Sequence, residues 1–158
     1  MRKKKKYVDK HARPKSYSGQ YYVKNREKYK GDASNVWYRS SWELKMMKYC
    51  DSKSHIIEWS SEEVIIPYLS PIDGKMHRYF PDFLVTLINN NGKKEKILIE
   101  VKPKKYTQPP NKQKRQTRKY ITEVKTWGIN EAKWKAAEHF CKKKGWQFKI
   151  FTERDLGV

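Results

Sequence analysis

Between residues 79 and 105 the chain carries two apolar runs separated by Asn89-Asn90-Asn91-Gly92. The first is Phe83-Leu84-Val85-Thr86-Leu87-Ile88; the second is Ile97-Leu98-Ile99-Glu100-Val101. Runs rich in branched apolar residues on either side of an Asn/Gly cluster specify a β-hairpin. Three charged groups, Asp82, Glu100 and Lys102, are embedded in these otherwise apolar arms. Charges rarely occupy strands buried on both faces unless they are paired or hold a metal.

A hairpin that turns about Asn91 sets residues opposite each other when their numbers sum to 182, and 82 plus 100 meets that condition. The three-residue loop Asn90-Asn91-Gly92, with Gly92 supplying a positive φ, is a common connection. Opposed side chains share a face with Cβ atoms roughly 5 Å apart. Strand alternation places Lys102 on the face of Glu100 and turns Val101 away. Two carboxylates and one ammonium thus converge. A loop extended through Lys93-Lys94 would slip the register and separate them.

Two carboxylates held that close repel, unless one keeps its proton or a cation lies between them. A hard divalent ion suits the site: magnesium takes one or two protein carboxylates and leaves other positions to water and phosphate. Beside it, Lys102 would orient or deprotonate an attacking water, or offset charge in the transition state. The same residue types also fit a structural arrangement, with Asp82 capping a turn after Pro81 and Glu100 paired with Lys102 on an exposed ladder.

Pro81-Asp82, followed after a hairpin by Glu100-Val101-Lys102, resembles the PD-(D/E)xK signature of the restriction-endonuclease-like nucleases. Upstream, Tyr38-Arg39-Ser40-Ser41-Trp42-Glu43 is similar to the first-helix segment that carries an extra acidic ligand in TnsA-type endonucleases and archaeal Holliday-junction resolvases. Residues 134–156 look like the closing helix and strand of the TnsA-type domain. The resemblance spans residues 36–156 and is most like the head-completion nucleases of tailed bacteriophages. It implies a metal held by Asp82, Glu100, the Val101 carbonyl and Glu43, with Glu43, Asp82, Glu100 and Lys102 as the catalytic set. The ion would be Mg²⁺, with Mn²⁺ able to substitute.

The formal charge of +20 on 158 residues points to a polyanionic partner, with nucleic acid foremost. Residues 1–30 alone carry twelve Lys/Arg against Asp9 and Glu27, with Tyr7, Tyr17, Tyr21, Tyr22 and Tyr29 interleaved. Residues 1–35 are therefore expected to form a flexible basic arm, closed by the loop Gly31-Asp32-Ala33-Ser34-Asn35 and followed by the nuclease domain over 36–158. Its cations would neutralise phosphates and its tyrosines could stack on unpaired bases; a solvated or protein-docking tail has the same composition. Further candidates for nucleic-acid contact are Arg39, Lys104, Lys105, Lys112, Arg115 and Arg118. No apolar run reaches the ~20 residues of a spanning helix, and no signal peptide follows the basic start. With the phage resemblance, the expected location is the host cytoplasm or the virion, neither secreted nor in a membrane.

Ser40 and Glu43 open a helix to about Ser52, at the spacing of a capping box; that spacing explains Glu43 without chemistry. Trp42, Met46, Tyr49 and Cys50 form its inner face. Ile56 to Trp59 and Glu62 to Leu69 read as strands; Glu62 or Glu63 could supply another ligand, though an exposed role is favoured, and His77 could act as a base, though a surface place is favoured. Residues 111–127 read as a helix ended by Gly128, and Asn130 caps the next, which Gly145 terminates. Trp146, Phe148 and Ile150 alternate with polar residues in a last strand. The 4 histidines and 2 cysteines lack zinc spacing. Cys50 and Cys141 read as buried free thiols, and no glycine-rich loop suggests a nucleotide cofactor.

The expected fold is α/β: a restriction-endonuclease-like core with a mixed central sheet, its antiparallel hairpin flanked by helices. The expected function is metal-dependent endonucleolytic hydrolysis of DNA phosphodiesters, on phage DNA ends or branched DNA during head completion. DNA and phage head or portal proteins would be the partners. The rival readings are a non-catalytic nucleic-acid-binding module and a structural plug of the head.

Overall fold

The computed structural model describes residues 17–158 and builds them around the hairpin about Asn91. In chain order the elements are β1 (Gly19–Gln20), β2 (Trp37–Tyr38), α1 (Ser41–Ser52), β3 (Ile56–Ser61), β4 (Ile66–Leu69), β5 (Met76–Tyr79), β6 (Phe83–Ile88), β7 (Lys94–Val101), α2 (Arg118–Lys144), β8 (Gln147–Phe151) and α3 (Glu153–Leu156). The central sheet runs β3-β6-β7-β8. The first two pairings are antiparallel, and β7 pairs with β8 in parallel. A parallel neighbour requires a crossover, which α2 supplies. This is the mixed α/β architecture expected.

The register pairs Phe83 with Ile99, Leu84 with Leu98 and Val85 with Ile97, so opposed residues sum to 182. Asn89 donates its N–H to the Lys93 carbonyl at 2.9 Å and closes a three-residue loop, in which Gly92 has a φ of 75°. The Asn89 side-chain oxygen accepts the N–H groups of Asn91 and Lys93 at 2.9 and 3.0 Å. Local side-chain bonds of this kind hold a turn in one geometry.

Alternation along the hairpin divides the core in two. Phe83, Val85, Ile97 and Ile99 pack with Met46, Met47 and Cys50 of α1, while Leu98 packs with Trp134, Ala137 and Cys141 of α2. Both cysteines are buried free thiols, as expected. Tyr49 departs from its expected inner position: it is exposed and bonds His55, and Met47 and Asp51 take the buried places.

Two other expectations change. Gly128 does not end a helix; α2 is continuous through it, capped by Thr117 rather than Asn130, and residues 111–117 precede it without helical structure. A mid-helix glycine costs about 1 kcal/mol, and the burial of Trp134, Ala137 and Cys141 against the sheet outweighs that. The helix does stop at Gly145, which adopts a φ of 72°.

The second concerns the arm. Residues 1–16, with Tyr7 and eight of the arm's cations, lie outside the described residues. Over 17–35, however, Tyr21, Val23 and Tyr29 are buried in the core on the α1 side of the sheet. Asp51, 2% exposed at the end of α1, holds this segment. It accepts the Tyr21 hydroxyl (2.8 Å) and the N–H groups of Lys24 (2.8 Å) and Asn25 (2.9 Å). The described part of the arm thus packs as part of the folded unit, because Tyr21 finds a buried acceptor in Asp51 and Tyr29 packs against Trp59, while Tyr17 and Tyr22 stay exposed.

Candidate active site

Asp82 stands just before β6, and Glu100 lies near the end of β7. The sheet register, continued by one residue, sets them opposite each other. Asp82 is fixed from two sides: its Oδ2 accepts the Val101 N–H at 2.7 Å, and its carbonyl accepts the Glu62 N–H at 3.0 Å. Glu100, 7% exposed, accepts the Tyr79 hydroxyl on Oε2 at 2.6 Å. Lys102 places its Nζ 3.6 Å from Glu100 Oε1. All four residues line one pocket of about 270 Å³, together with Val101, Arg39, Glu43 and Lys133.

Glu43 answers the cap question in an unexpected way. Ser40 Oγ accepts the Glu43 N–H at 3.1 Å, as a helix cap should. The Glu43 carboxylate, however, accepts the N–H of Arg39 at 3.0 Å, one residue before the cap. It therefore serves the helix start while its side chain faces the pocket. Capping and a place on the pocket wall coexist.

Glu62 corrects an expectation. Its side chain is 9% exposed, lines the pocket and holds the Arg39 guanidinium through two contacts, at 3.1 and 3.3 Å. Its backbone has a φ of 51°, the only positive value at a non-glycine residue among the described residues. Such a conformation costs energy, and outliers of this kind concentrate at functional sites. Glu63 turns the opposite way and accepts the Tyr29 hydroxyl at 3.1 Å. His77 is exposed and bonds Asp73 at 2.7 Å, so it stays a surface residue.

Three carboxylates of the pocket, Asp82, Glu43 and Glu100, are raised above the ordinary carboxylate range, chiefly by burial. Burial lifts Asp82 well above the ordinary carboxylate range, reinforced by the charges of Glu100 and Glu43 and opposed by the Val101 N–H. Burial also raises Glu43, with Glu62 and Glu100 adding to it against the Arg39 N–H. Glu100 is raised by burial despite the Tyr79 hydroxyl, Lys102 and Lys133. A cation among these groups would relieve the repulsion. The donor set is all oxygen, which fits a hard ion such as Mg²⁺. Among the described residues no three acidic, histidine or cysteine side chains close on a single point. An ion here would complete its shell with water or substrate phosphate, as magnesium commonly does.

Of the expected nucleic-acid contacts, Lys105 lines a neighbouring cleft, and only Arg39 lines this pocket. Arg39 sits at its rim in the pairing with Glu62. The 3₁₀ turn Lys104–Thr107 leads away from Lys102, its Lys104 N–H tied to Glu153 at 2.8 Å and Lys105 lying 4.7 Å over the Tyr106 ring. Lys112 and Arg115 are exposed on the following loop, and Arg118 is exposed at the first turn of α2.

Lys133 was not anticipated. It reaches the pocket from α2, 5.5 Å from the centre of the Tyr79 ring, and contributes positive charge at Glu100. In the sequence it reads as one more cation on a solvated helix face. Only the crossing of α2 over β4 and β5 shows otherwise.

The chain matches the family described as the TnsA-like endonuclease N-terminal domain over residues 53–153. That span contains Asp82, Glu100 and Lys102 and begins after Glu43. The chain is also 40% identical over 145 residues to the head completion nuclease of Enterobacteria phage T4, covering 89% of this chain and 94% of the phage T4 protein.

Proposed function

We infer the reaction from the family: this chain belongs to the TnsA-like endonucleases. We propose that it hydrolyses DNA phosphodiester bonds with Mg²⁺, for which Mn²⁺ can substitute. The observation that carries this reading is the convergence of Asp82, Glu100 and Lys102 on one pocket, with Asp82 locked by the Val101 N–H. Asp82 and Glu100 would hold the ion, joined by the Val101 carbonyl and Glu43. When bound, such an ion polarises a phosphoryl oxygen and makes a water nucleophilic at neutral pH.

The chain's own groups do the rest. Lys102, beside Glu100, orients the attacking water and offsets charge that builds on the phosphate. The water oxygen adds to phosphorus and loses a proton to solvent, the bond to the departing sugar oxygen breaks, and that oxygen takes up a proton to leave as a hydroxyl. The Tyr79 hydroxyl fixes the Glu100 carboxylate, and Arg39 and Lys133 bring positive charge to the substrate phosphates. The likeness to the phage T4 protein supports a role in completing phage heads, on DNA ends or branched DNA, with head or portal proteins as neighbours. No helix among the described residues is long and apolar enough to cross a membrane.

The test is a gel on which supercoiled, linear and branched DNA are incubated with Mg²⁺, Mn²⁺ or EDTA. Wild type should cut with either metal and stop in EDTA. Lys102→Ala should bind DNA and leave it intact. Failure of the wild type to cut any substrate would favour a binding or plug protein instead.

A further inference from the structure

Past Lys102, the carboxylate pocket opens into a larger cleft of about 1120 Å³, between the start of α1, residues 101–113 and the first half of α2. Glu43, Val101 and Lys102 line both, so the two form one continuous depression. Their walls differ in kind. The smaller is lined mainly by ionisable side chains, whereas three aromatic residues, Trp42, Tyr106 and Trp127, line the larger, with the Lys105 ammonium 4.7 Å over the Tyr106 ring. Gln108 and Gln113 also line the cleft, and Lys105 and Lys119 bring positive charge, Lys119 lying 4.0 Å from Glu123. Tyr106 is 48% exposed, although it is a large aromatic residue beside the site.

A track for duplex backbone needs cations and backbone N–H groups. Aromatic faces gain nothing from a phosphate, and paired bases hide their own faces inside the duplex. Unpaired bases expose a π-face to stack and an edge for amides to bond. The cleft is close in volume to pockets that enclose small ligands, about 300–1,000 Å³. Lysines at the wall would neutralise the backbone that links such bases to the adjoining phosphodiester site.

We propose that this cleft is a subsite for unpaired DNA, in which the bases next to the scissile phosphate stack on Tyr106 and Trp42. The endonuclease then acts where single strand meets duplex. This rests on the nuclease reading of the adjoining pocket and adds the structure of its substrate.

The test uses the full chain in EDTA at fixed salt, so that binding is read without cleavage. The probes are one duplex with blunt ends and the same duplex with a short unpaired tail, of either polarity, carrying 2-aminopurine beside the junction. Wild type should bind the tailed DNA more tightly and quench its 2-aminopurine. Tyr106→Ala should weaken tailed binding by roughly 5- to 100-fold while blunt binding is unchanged. Tyr106→Leu, which keeps bulk and loses the aromatic face, should behave alike. Equal affinity of the wild type for tailed and blunt DNA would overturn the proposal, as would an equal loss on both in the variants. Failure of the nuclease reading shows up separately, as no cutting of any DNA with Mg²⁺.

Discussion

Val101 donates its N–H to Asp82 Oδ2 at 2.7 Å, so the carboxylate that faces the pocket also clasps the two strands of the hairpin. Asp82→Asn keeps an acceptor for that N–H and removes a charge that burial, Glu100 and Glu43 disfavour. Its melting temperature without metal should equal or exceed that of the wild type, while cleavage falls on the order of 10²–10⁴-fold. Asp82→Ala should lose cleavage equally and cost about 1–3 kcal/mol of stability, because Val101 is left with an unsatisfied donor. Equal melting temperatures for the two variants would show that the clasp contributes nothing.

Glu62 offers a test of backbone strain. Its φ of 51° is a region that L-residues adopt at a cost and glycine adopts freely. Glu62→Ala and Glu62→Gly both remove the contacts to Arg39, so their difference isolates the backbone. The glycine variant should be the more stable by about 1 kcal/mol, allowing for its greater freedom when unfolded. Denaturant midpoints at constant slope measure this, and an alanine variant at least as stable would dismiss the strain.

What was legible in the chain followed from short-range rules. The Asn-Asn-Gly loop and strand alternation set the hairpin register, and with it the shared face of Asp82, Glu100 and Lys102. The spacing from Ser40 to Glu43 could not decide between cap and site, because Glu43 donates the cap bond from its N–H and also lines the pocket. Glu62 stood undecided beside Glu63, and Lys133 escaped, both for tertiary reasons. One depends on a left-handed backbone that no pattern announces, the other on where α2 crosses. The same holds for Tyr21 and Tyr29, which sit among cations in the sequence and are drawn inward by acceptors at Asp51 and Glu63.

Gly128 weighs local preference against packing. It sits inside α2, and a Cβ there would meet only Pro71 Cγ at 3.7 Å, an ordinary contact. Gly128→Ala should therefore gain about 0.5–1 kcal/mol, seen as a rise in melting temperature of roughly 1–4 °C. A fall would mean that the helix needs flexibility at that point.

Asp51 ties the N-terminal segment to the domain through a charge, so that attachment should depend on pH. Burial alone would raise its pKa, but the N–H groups of Lys24 and Asn25 and the Tyr21 hydroxyl hold the carboxyl below its ordinary range. A carboxylate lowered on folding contributes stability that is complete above its unfolded pKa of about 4 and lost as pH falls through the lower folded value. Asp51→Asn lacks the charge throughout. At pH 7 it should be less stable by about 2–4 kcal/mol, since it leaves buried donors poorly satisfied. The difference from wild type should shrink as the solution is acidified below pH 4, because the wild type then loses the same charge. Thermal melts of both proteins across that range read the gap, and amide exchange at residues 21–28 reports whether the segment loosens first. A gap that stays constant from pH 7 into acid would mean that these donors are held by geometry alone.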